Sequence, residues 1–322
     1  MDLIHIAHKT DDCRNLWERL WPQKAVFDLW PVRACFQKHY QRPLFFLSRE
    51  QADHPPLFLA LSWIEEEQYY GHFPGETWQG KTWLEQNKII GVADSSPQAL
   101  MEKIPGKVFI RYLDENFLFS PGRHTVEDEI GYLFTPGQYD YSFETYRRTF
   151  PGKTRKKFDQ EIRRLETQTV TWHYDRMTDV DQMMRMNLAA FGEHSYFHDP
   201  RFFGSFIDLL TFFKENNMLR VTSVLIGGRL AAVDVGALWN NTYTVIAGGT
   251  DPEFPGVAKL INFHHIEWAC RERLGMVDFL CGDFAWKTRF RLQPRPLYKF
   301  HYPEPGTAAE SSAEKRSGDC GA

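Results

Sequence analysis

The sequence predicts an α+β fold in which a mixed, mostly antiparallel sheet is flanked by helices. Three features carry that expectation. Residues 153–302 read in order as helix, strand, helix, helix, three consecutive strands, helix, strand and final strand. The three consecutive strands are joined by Gly227-Gly228 and Asn240-Asn241, residue types that tolerate the positive φ of tight hairpin turns. The strands are short β-branched and apolar runs, whereas the helical segments return apolar residues every three or four positions.

Taken in order, Leu3–Ile6 reads as a strand and Thr10 caps a helix running to Leu20. Phe27–Tyr40 holds a second helix. Pro43–Leu47 and Leu57–Ile64 are strands separated by the Asp53-His54-Pro55-Pro56 turn. Tyr69–Trp78 is dense in rings and turn residues, which suits either a ligand groove or a packed aromatic loop. Ser96-Pro97 opens a short helix to Lys103, Val108–Leu113 is a strand, and Glu127–Glu129 is a solvated charge run.

Phe150-Pro151-Gly152 punctuates the chain, and the helix Lys153–Leu165 follows. Phe158, Ile162 and Leu165 form its apolar edge; Arg155, Lys156, Lys157, Arg163 and Arg164 make the rest basic. That face is either a solvated surface laced with ion pairs such as Asp159 with Arg163, or a wall that holds a phosphate-bearing substrate through residues such as Arg155 and Lys157. Val170–Tyr174 is a strand. Thr178–Asp181 has capping-box form ahead of a helix with Met183, Met184, Leu188 and Phe191. Asp199-Pro200 starts another, whose Phe202, Phe203, Phe206, Leu209, Leu210 and Phe213 form a broad apolar face read as core.

Arg220–Ile226, Arg229–Leu238 and Tyr243–Ala247 are the three consecutive strands, the last broken by Gly248-Gly249. Val257–Arg273 is a helix with Val257, Ile261, His264 and Trp268 on its apolar face, and Gly275 stops it. His264 reads there as a satisfied core histidine. Met276–Cys281 is a strand, and Leu297–Tyr302 closes the domain. Glu253-Phe254-Pro255-Gly256-Val257-Ala258 places small residues where a helix begins. Unpaired amides there sit at the positive end of the helix dipole and suit a phosphate; an ordinary Pro-Gly turn satisfies the same spacing.

At 322 residues the chain has length for two domains of about 150 residues each, divided as 1–150 and 151–302, with 303–322 a disordered tail rich in Ser, Ala, Glu and Gly. With 43% hydrophobic residues it builds real cores. A net charge of −4 argues against a general nucleic-acid binder, so DNA is not an expected partner. No apolar run approaches the roughly 20 residues of a membrane span. The N-terminus lacks signal-peptide features, and five scattered cysteines lack metal-ligand spacing, so a cytoplasmic protein without a metal is expected.

The element order resembles the GNAT (acyl-CoA N-acyltransferase) fold. Lys153–Leu165, the Asp251–Gly256 turn, and Asp278-Phe279, Gly282-Asp283, Trp286-Lys287 and Phe290 are similar to the acetyltransferase domain of bacterial cellulose-biosynthesis-associated proteins, which stand beside the Fem peptidyltransferases. The resemblance covers residues 153–302 and implies two GNAT-like domains in tandem, the first degenerate. It implies an acyl-CoA donor, in the simplest case acetyl-CoA, and an amine or hydroxyl acceptor such as a sugar or envelope precursor. It places donor-binding groups at Ile246, Ala247 and Gly248, where the strand splays, and at Gly256, Val257, Ala258 and Lys259. One departure stands out: Glu253 occupies the position where the family's phosphate loop carries Gln or Arg, and a carboxylate repels a pyrophosphate.

Under that resemblance the candidate proton-handling and acceptor-orienting groups are Asp283, Lys287 and Asp234, with Trp286 beside the acceptor. Asp283 after Gly282 is also a good turn residue, and Lys287 also reads as a surface cation. Asp234 sits inside an apolar strand, where a carboxylate needs a partner or a function. Two alternatives remain: a Fem-like transferase that uses aminoacyl-tRNA, and a GNAT-like binding module without catalysis.

Overall fold

The computed structural model describes residues 4–51, 54–91, 98–114, 125–282 and 285–302. The chain divides into two compact units. One comprises residues 1–23, 27–129 and 296–322, the other residues 24–26 and 130–295.

The first unit begins β1 (His5–Ala7), α1 (Thr10–Leu20), α2 (Trp30–Tyr40), β2 (Leu44–Gln51), β3 (His54–Ile64) and β4 (Tyr69–His72). A small hairpin, β5 (Thr77–Trp78) and β6 (Lys81–Thr82), the short α3 (Gln98–Met101) and β7 (Val108–Asp114) follow. Its core is a stack of large rings: Trp17 lies on Trp21 at 4.1 Å and Trp30 on Phe73 at 4.9 Å between centroids. The ring-rich segment from Tyr69 thus supplies core through Phe73. Its polar members, with Arg33, Asn87 and Arg111, line a small cavity.

β8 (Thr125–Phe134) carries Asp128 and Glu129 as partners of Arg111, at 2.8 and 2.9 Å. The expected solvated charge run is therefore a strand whose acids are paired across the sheet. α4 (Phe143–Arg148) and α5 (Gly152–Glu166) come next. Then follow β9 (Val170–Tyr174), α6 (Met177–Phe191), α7 (Pro200–Glu215), β10 (Leu219–Ile226), β11 (Arg229–Trp239), β12 (Thr242–Thr250) and α8 (Val257–Arg271). β13 (Met276–Asp278), α9 (Ala285–Arg289) and β14 (Gln293–Tyr302) complete the described chain.

Both units repeat one plan: strand, two helices, three antiparallel strands, then a strand that returns parallel to the third. In the first unit the order is β1-β2-β3-β4-β7, with β4 and β7 parallel at Tyr70 and Val108. In the second it is β9-β10-β11-β12-β13, with β12 and β13 parallel. This is the α+β class expected.

Several local expectations change. β12 runs through Gly248 and Gly249 to Thr250, because β11 continues to pair with it there. β13 stops at Asp278. The positive φ that ends α8 falls on Arg273, and Gly275 instead donates to the carbonyl of Asn241. No side chain caps α6, whereas Asp199 caps α7 by accepting from the Arg201 amide at 2.8 Å. The last strand, from Leu297, pairs with β7 of the first unit. Residues 130–150 pack with the second unit, because Tyr132, Phe134, Tyr146 and Phe150 share a core with Phe158, Phe263 and Phe290.

Successive residues of a strand face opposite sides of a sheet. At Gly248 an added Cβ would overlap the Asp234 carboxylate beneath α8; at Gly249 it would meet the Met183 backbone of α6. α6 and α8 therefore cover opposite faces of the β10–β12 sheet. Among the described residues no helix is long and apolar enough to cross a membrane.

Candidate active site: a splayed strand pair and the helix that follows it

β12 and β13 pair only over Thr242–Thr244, opposite Met276–Asp278. After Asp278 the chain turns away: the Phe279 amide donates to the Tyr132 carbonyl at 2.9 Å, and Leu280 takes φ +57°. From Val245 to Thr250 the β13-side edge of β12 has no strand partner among the described residues. Opposite β11 the register shifts, with Val235 facing Ala247 and Gly236 facing Val245, so Ile246 is an extra residue. A bulge of this kind bends a strand and re-aims its amides. Ile246 is buried, Ala247 half-buried and Gly248 exposed.

That free edge leads into the turn before α8. Asp251 accepts from the Glu253 amide at 2.9 Å, and Gly256 takes φ +100°, a conformation open to glycine. The amides of Val257, Lys259 and Leu260 find acceptors at Phe254 and Gly256. Those of Gly256 and Ala258 have no backbone acceptor among the described residues. Gly256 and Ala258 thus present amides at the start of α8, while Val257 is buried core. Lys259 differs from expectation. Its ammonium pairs with Glu161 of α5, which occupies the charge meant for a donor.

Two arginines change the electrostatics of this turn. Arg229 bridges Asp251 and Glu253, at 3.2 and 2.7 Å, so the carboxylate that departs from the family pattern is neutralised locally. Arg164 reaches from α5 and donates to the Pro255 carbonyl at 3.0 Å. Arg164 belongs to the basic face legible in the sequence, but nothing local links it to Pro255, 91 positions away.

Residues 152–288 match the acetyltransferase (GNAT) domain family, and the bulged, splayed strand pair followed by a glycine-started helix lies inside that stretch. Over that stretch the chain is similar to the acetyltransferase (GNAT) domain family. The same fold recurs in solved structures that cover nearly the whole chain. FemX is 8% identical with a TM-score of 0.59, covering 95% of this chain and 99% of its own. L-PGS from Bacillus licheniformis is 10% identical with a TM-score of 0.54, covering 95% of each chain. A conserved protein of unknown function from Bacteroides thetaiotaomicron VPI-5482 is 13% identical with a TM-score of 0.54, covering 93% and 99%. Among curated proteins none matches the sequence.

Within residues 152–288 the proposed chemical residues separate. Asp283 lies outside the described residues. Lys287 is 3% exposed and donates to the carbonyls of Phe279, Leu280 and Cys281 at 3.0, 2.9 and 2.6 Å. Three carbonyls match the three donors of an ammonium, so Lys287 clamps the turn after β13. Trp286 is half-buried, edge-on to Phe279 and Phe290 at 5.7 and 5.4 Å, and serves the core.

Asp234 is 7% exposed, and its Oδ2 accepts from His265 Nε2 at 2.9 Å. His265, fully buried on α8, is the core histidine; His264 points instead to β9. There it stacks on Trp172 at 4.0 Å and meets the Tyr174 hydroxyl at 3.2 Å. Burial, then the neighbouring His265 and Arg220, push His264 down to about 3.

On α5 the basic face is structured. Arg147 pairs with Asp159, and with Glu144, Gly152, Arg155, Lys156, Gln160 and Arg163 they line an open groove between α4 and α5. Arg155 lies in it, whereas Lys157 is exposed outside it and Lys156 takes that place. The expected Asp159–Arg163 pair gives way to Arg147, which leaves Arg163 facing the groove.

Proposed function

We propose that this protein is an acyltransferase that moves an acyl group, acetyl in the simplest case, from acyl-CoA to an amine or hydroxyl acceptor. The observation that carries the reading is the wedge between β12 and β13, which opens at the Ile246 bulge and follows β12 to the Gly256 turn. Unpaired main-chain groups along Val245–Thr250 offer an amide-bearing donor arm the pairing that β13 withholds. The amides of Ile246–Gly248 suit a thioester carbonyl that develops negative charge, a role that fixed backbone donors perform well. The free amides of Gly256 and Ala258, at the positive end of α8, and the Arg164 guanidinium suit the donor's phosphates.

Calorimetry with acetyl-CoA tests the reading. Saturating donor stabilises the fold by about 2.7 kcal/mol at a hundredfold excess over the dissociation constant. Absence of binding by acetyl-CoA and by longer acyl-CoAs rejects the acyl-CoA-dependent transferase and leaves the aminoacyl-tRNA donor or a GNAT-like module without catalysis.

The α4–α5 groove supports a second reading. Arg155, Lys156 and Arg163 present three cations without carboxylate partners among the described residues. They suit a phosphate-bearing acceptor such as a sugar nucleotide, or the phosphates of an aminoacyl-tRNA donor. Dependence of transfer on charged tRNA, lost on RNase treatment, would select the second donor.

A further inference from the structure

A side chain from α6 reaches the open edge of β12. The Asp251 amide donates to the Ala231 carbonyl, so the main chain at 251, 249 and 247 faces β11. Hydrogen-bonding direction alternates along a strand, which turns the amide and carbonyl of Gly248 to the edge that β13 leaves unpaired. Asn187 meets them there, its Nδ2 standing 3.5 Å from the Gly248 carbonyl oxygen. α6 lies close enough to hold it in place: a Cβ on Gly249 would come within 2.7 Å of the Met183 carbonyl oxygen.

The orientation of this side-chain amide is fixed from behind. Ser195 is buried, and its Oγ accepts from the Phe197 amide at 3.2 Å. Its hydroxyl proton goes to Asn187 Oδ1, 2.7 Å away. Because Oδ1 is taken as an acceptor, the NH2 is the end that faces the strand edge. One of its hydrogens reaches Gly248 over a distance well beyond the ~2.9 Å usual for such a bond. The other has no acceptor among the described residues. An asparagine that served only to tie α6 to β12 would close a shorter bond. This one is held firmly through its oxygen and loosely through its nitrogen, beside main-chain groups that have no strand partner.

We propose that Asn187 donates a hydrogen bond to the acyl carbonyl oxygen of the donor, alongside the Gly248 amide, and that Ser195 positions it. The assignment rests on the acyl-CoA reading and adds a side chain from α6 to the main-chain donors of β12. When the acceptor's nitrogen or oxygen bonds to the thioester carbon, the C=O electron pair moves onto the carbonyl oxygen. That oxyanion then lies between two N–H groups. As the pair returns, the C–S bond breaks, and the sulfur leaves as a thiolate that takes the proton given up by the acceptor. Asn187 gains and loses no proton. Its contribution is electrostatic and greater for the oxyanion than for the resting carbonyl, so it acts on turnover more than on donor affinity.

The test uses the full-length protein and acetyl-CoA isotope-labelled at its carbonyl carbon. Water serves as the acceptor, and thiol release reports turnover. In infrared difference spectra the bound donor should show its carbonyl stretch at lower frequency than free acetyl-CoA. Asn187→Ala should lose much of that shift while the calorimetric dissociation constant for acetyl-CoA stays put. Asn187→Asp keeps the shape and the Ser195 contact but replaces the donor with an oxygen. It should lower thiol release about 10²- to 10³-fold. Ser195→Ala frees the amide to rotate and should lose part of the same shift, which Ser195→Thr should recover. If Asn187→Ala fails to fold, the near-isosteric Asp variant still decides. A carbonyl band at one position in wild type and Asn187→Ala, or thiol release at the wild-type rate from Asn187→Asp, would overturn the assignment. A wild-type protein that binds no acetyl-CoA removes the donor reading first, and calorimetry shows this before any variant is made.

Discussion

Arg164 of α5 donates to the carbonyl of Pro255, 3.0 Å away, one residue before the glycine that starts α8. The contact places a guanidinium at the turn where the chain carries Glu253 in the family's cationic position. Only one of its nitrogens is used there, and the rest remain for a phosphate. Arg164→Glu is therefore expected to weaken acetyl-CoA binding by about tenfold at low salt. The difference should shrink as ionic strength rises, because exposed charges are screened beyond roughly 8 Å at 0.15 M. The exposed position keeps the stability change within about 0.5 kcal/mol. Calorimetry across a salt series checks both.

Gly256 is required by conformation, not by space. An added Cβ would meet Glu161 and Leu165 only at 3.9 Å, but φ is +100°. Gly256→Val should cost at least about 1–2 kcal/mol in stability, the penalty of a side chain in left-handed backbone. It should also abolish acyl-CoA binding, because the turn that presents the Ala258 amide would reshape. Thermal unfolding and calorimetry on one sample separate the two effects.

Lys287 is a structural clamp, so its loss should register as instability. Lys287→Met leaves the carbonyls of Phe279 and Cys281 without the ammonium, while that of Leu280 keeps the Tyr132 amide at 3.2 Å. Each buried unsatisfied group costs about 1–3 kcal/mol, so a loss of roughly 2 kcal/mol or more is expected in denaturant unfolding. Normal stability in this variant would contradict the clamp.

His264 makes the second unit acid-sensitive. Its folded value, pushed down to about 3, lies below the ordinary 6.5, so the unfolded chain binds the proton more readily. Stability from this residue is full above about 6.5 and falls as pH drops towards 3. His264→Phe, which keeps a ring against Trp172, should flatten the stability profile across that window. An unchanged slope would sink the account.

Much of the site was legible locally. Gly227-Gly228 and Asn240-Asn241 dictate hairpins, and Asp199 before Pro200 dictates a helix start, because each acts within a few residues. The turn that opens α8 at Gly256 was readable for the same reason. Lys287 was not: its charge suggested a surface cation, yet the Leu280 turn folds three carbonyls onto it. His264 and His265 exchanged roles because α8 packs against both β9 and β11, so more than one face is apolar.

By itself the sequence determined the alternation of strands and helices, the tight turns and the glycine that opens α8, since these depend on neighbours along the chain. The tertiary structure alone decided that β13 parts from β12 after Asp278, that Arg164 stands at Pro255, and that His265 holds one oxygen of Asp234. Those relations join residues tens of positions apart, and only the packing of α5 and α8 on the sheet brings them within hydrogen-bond reach.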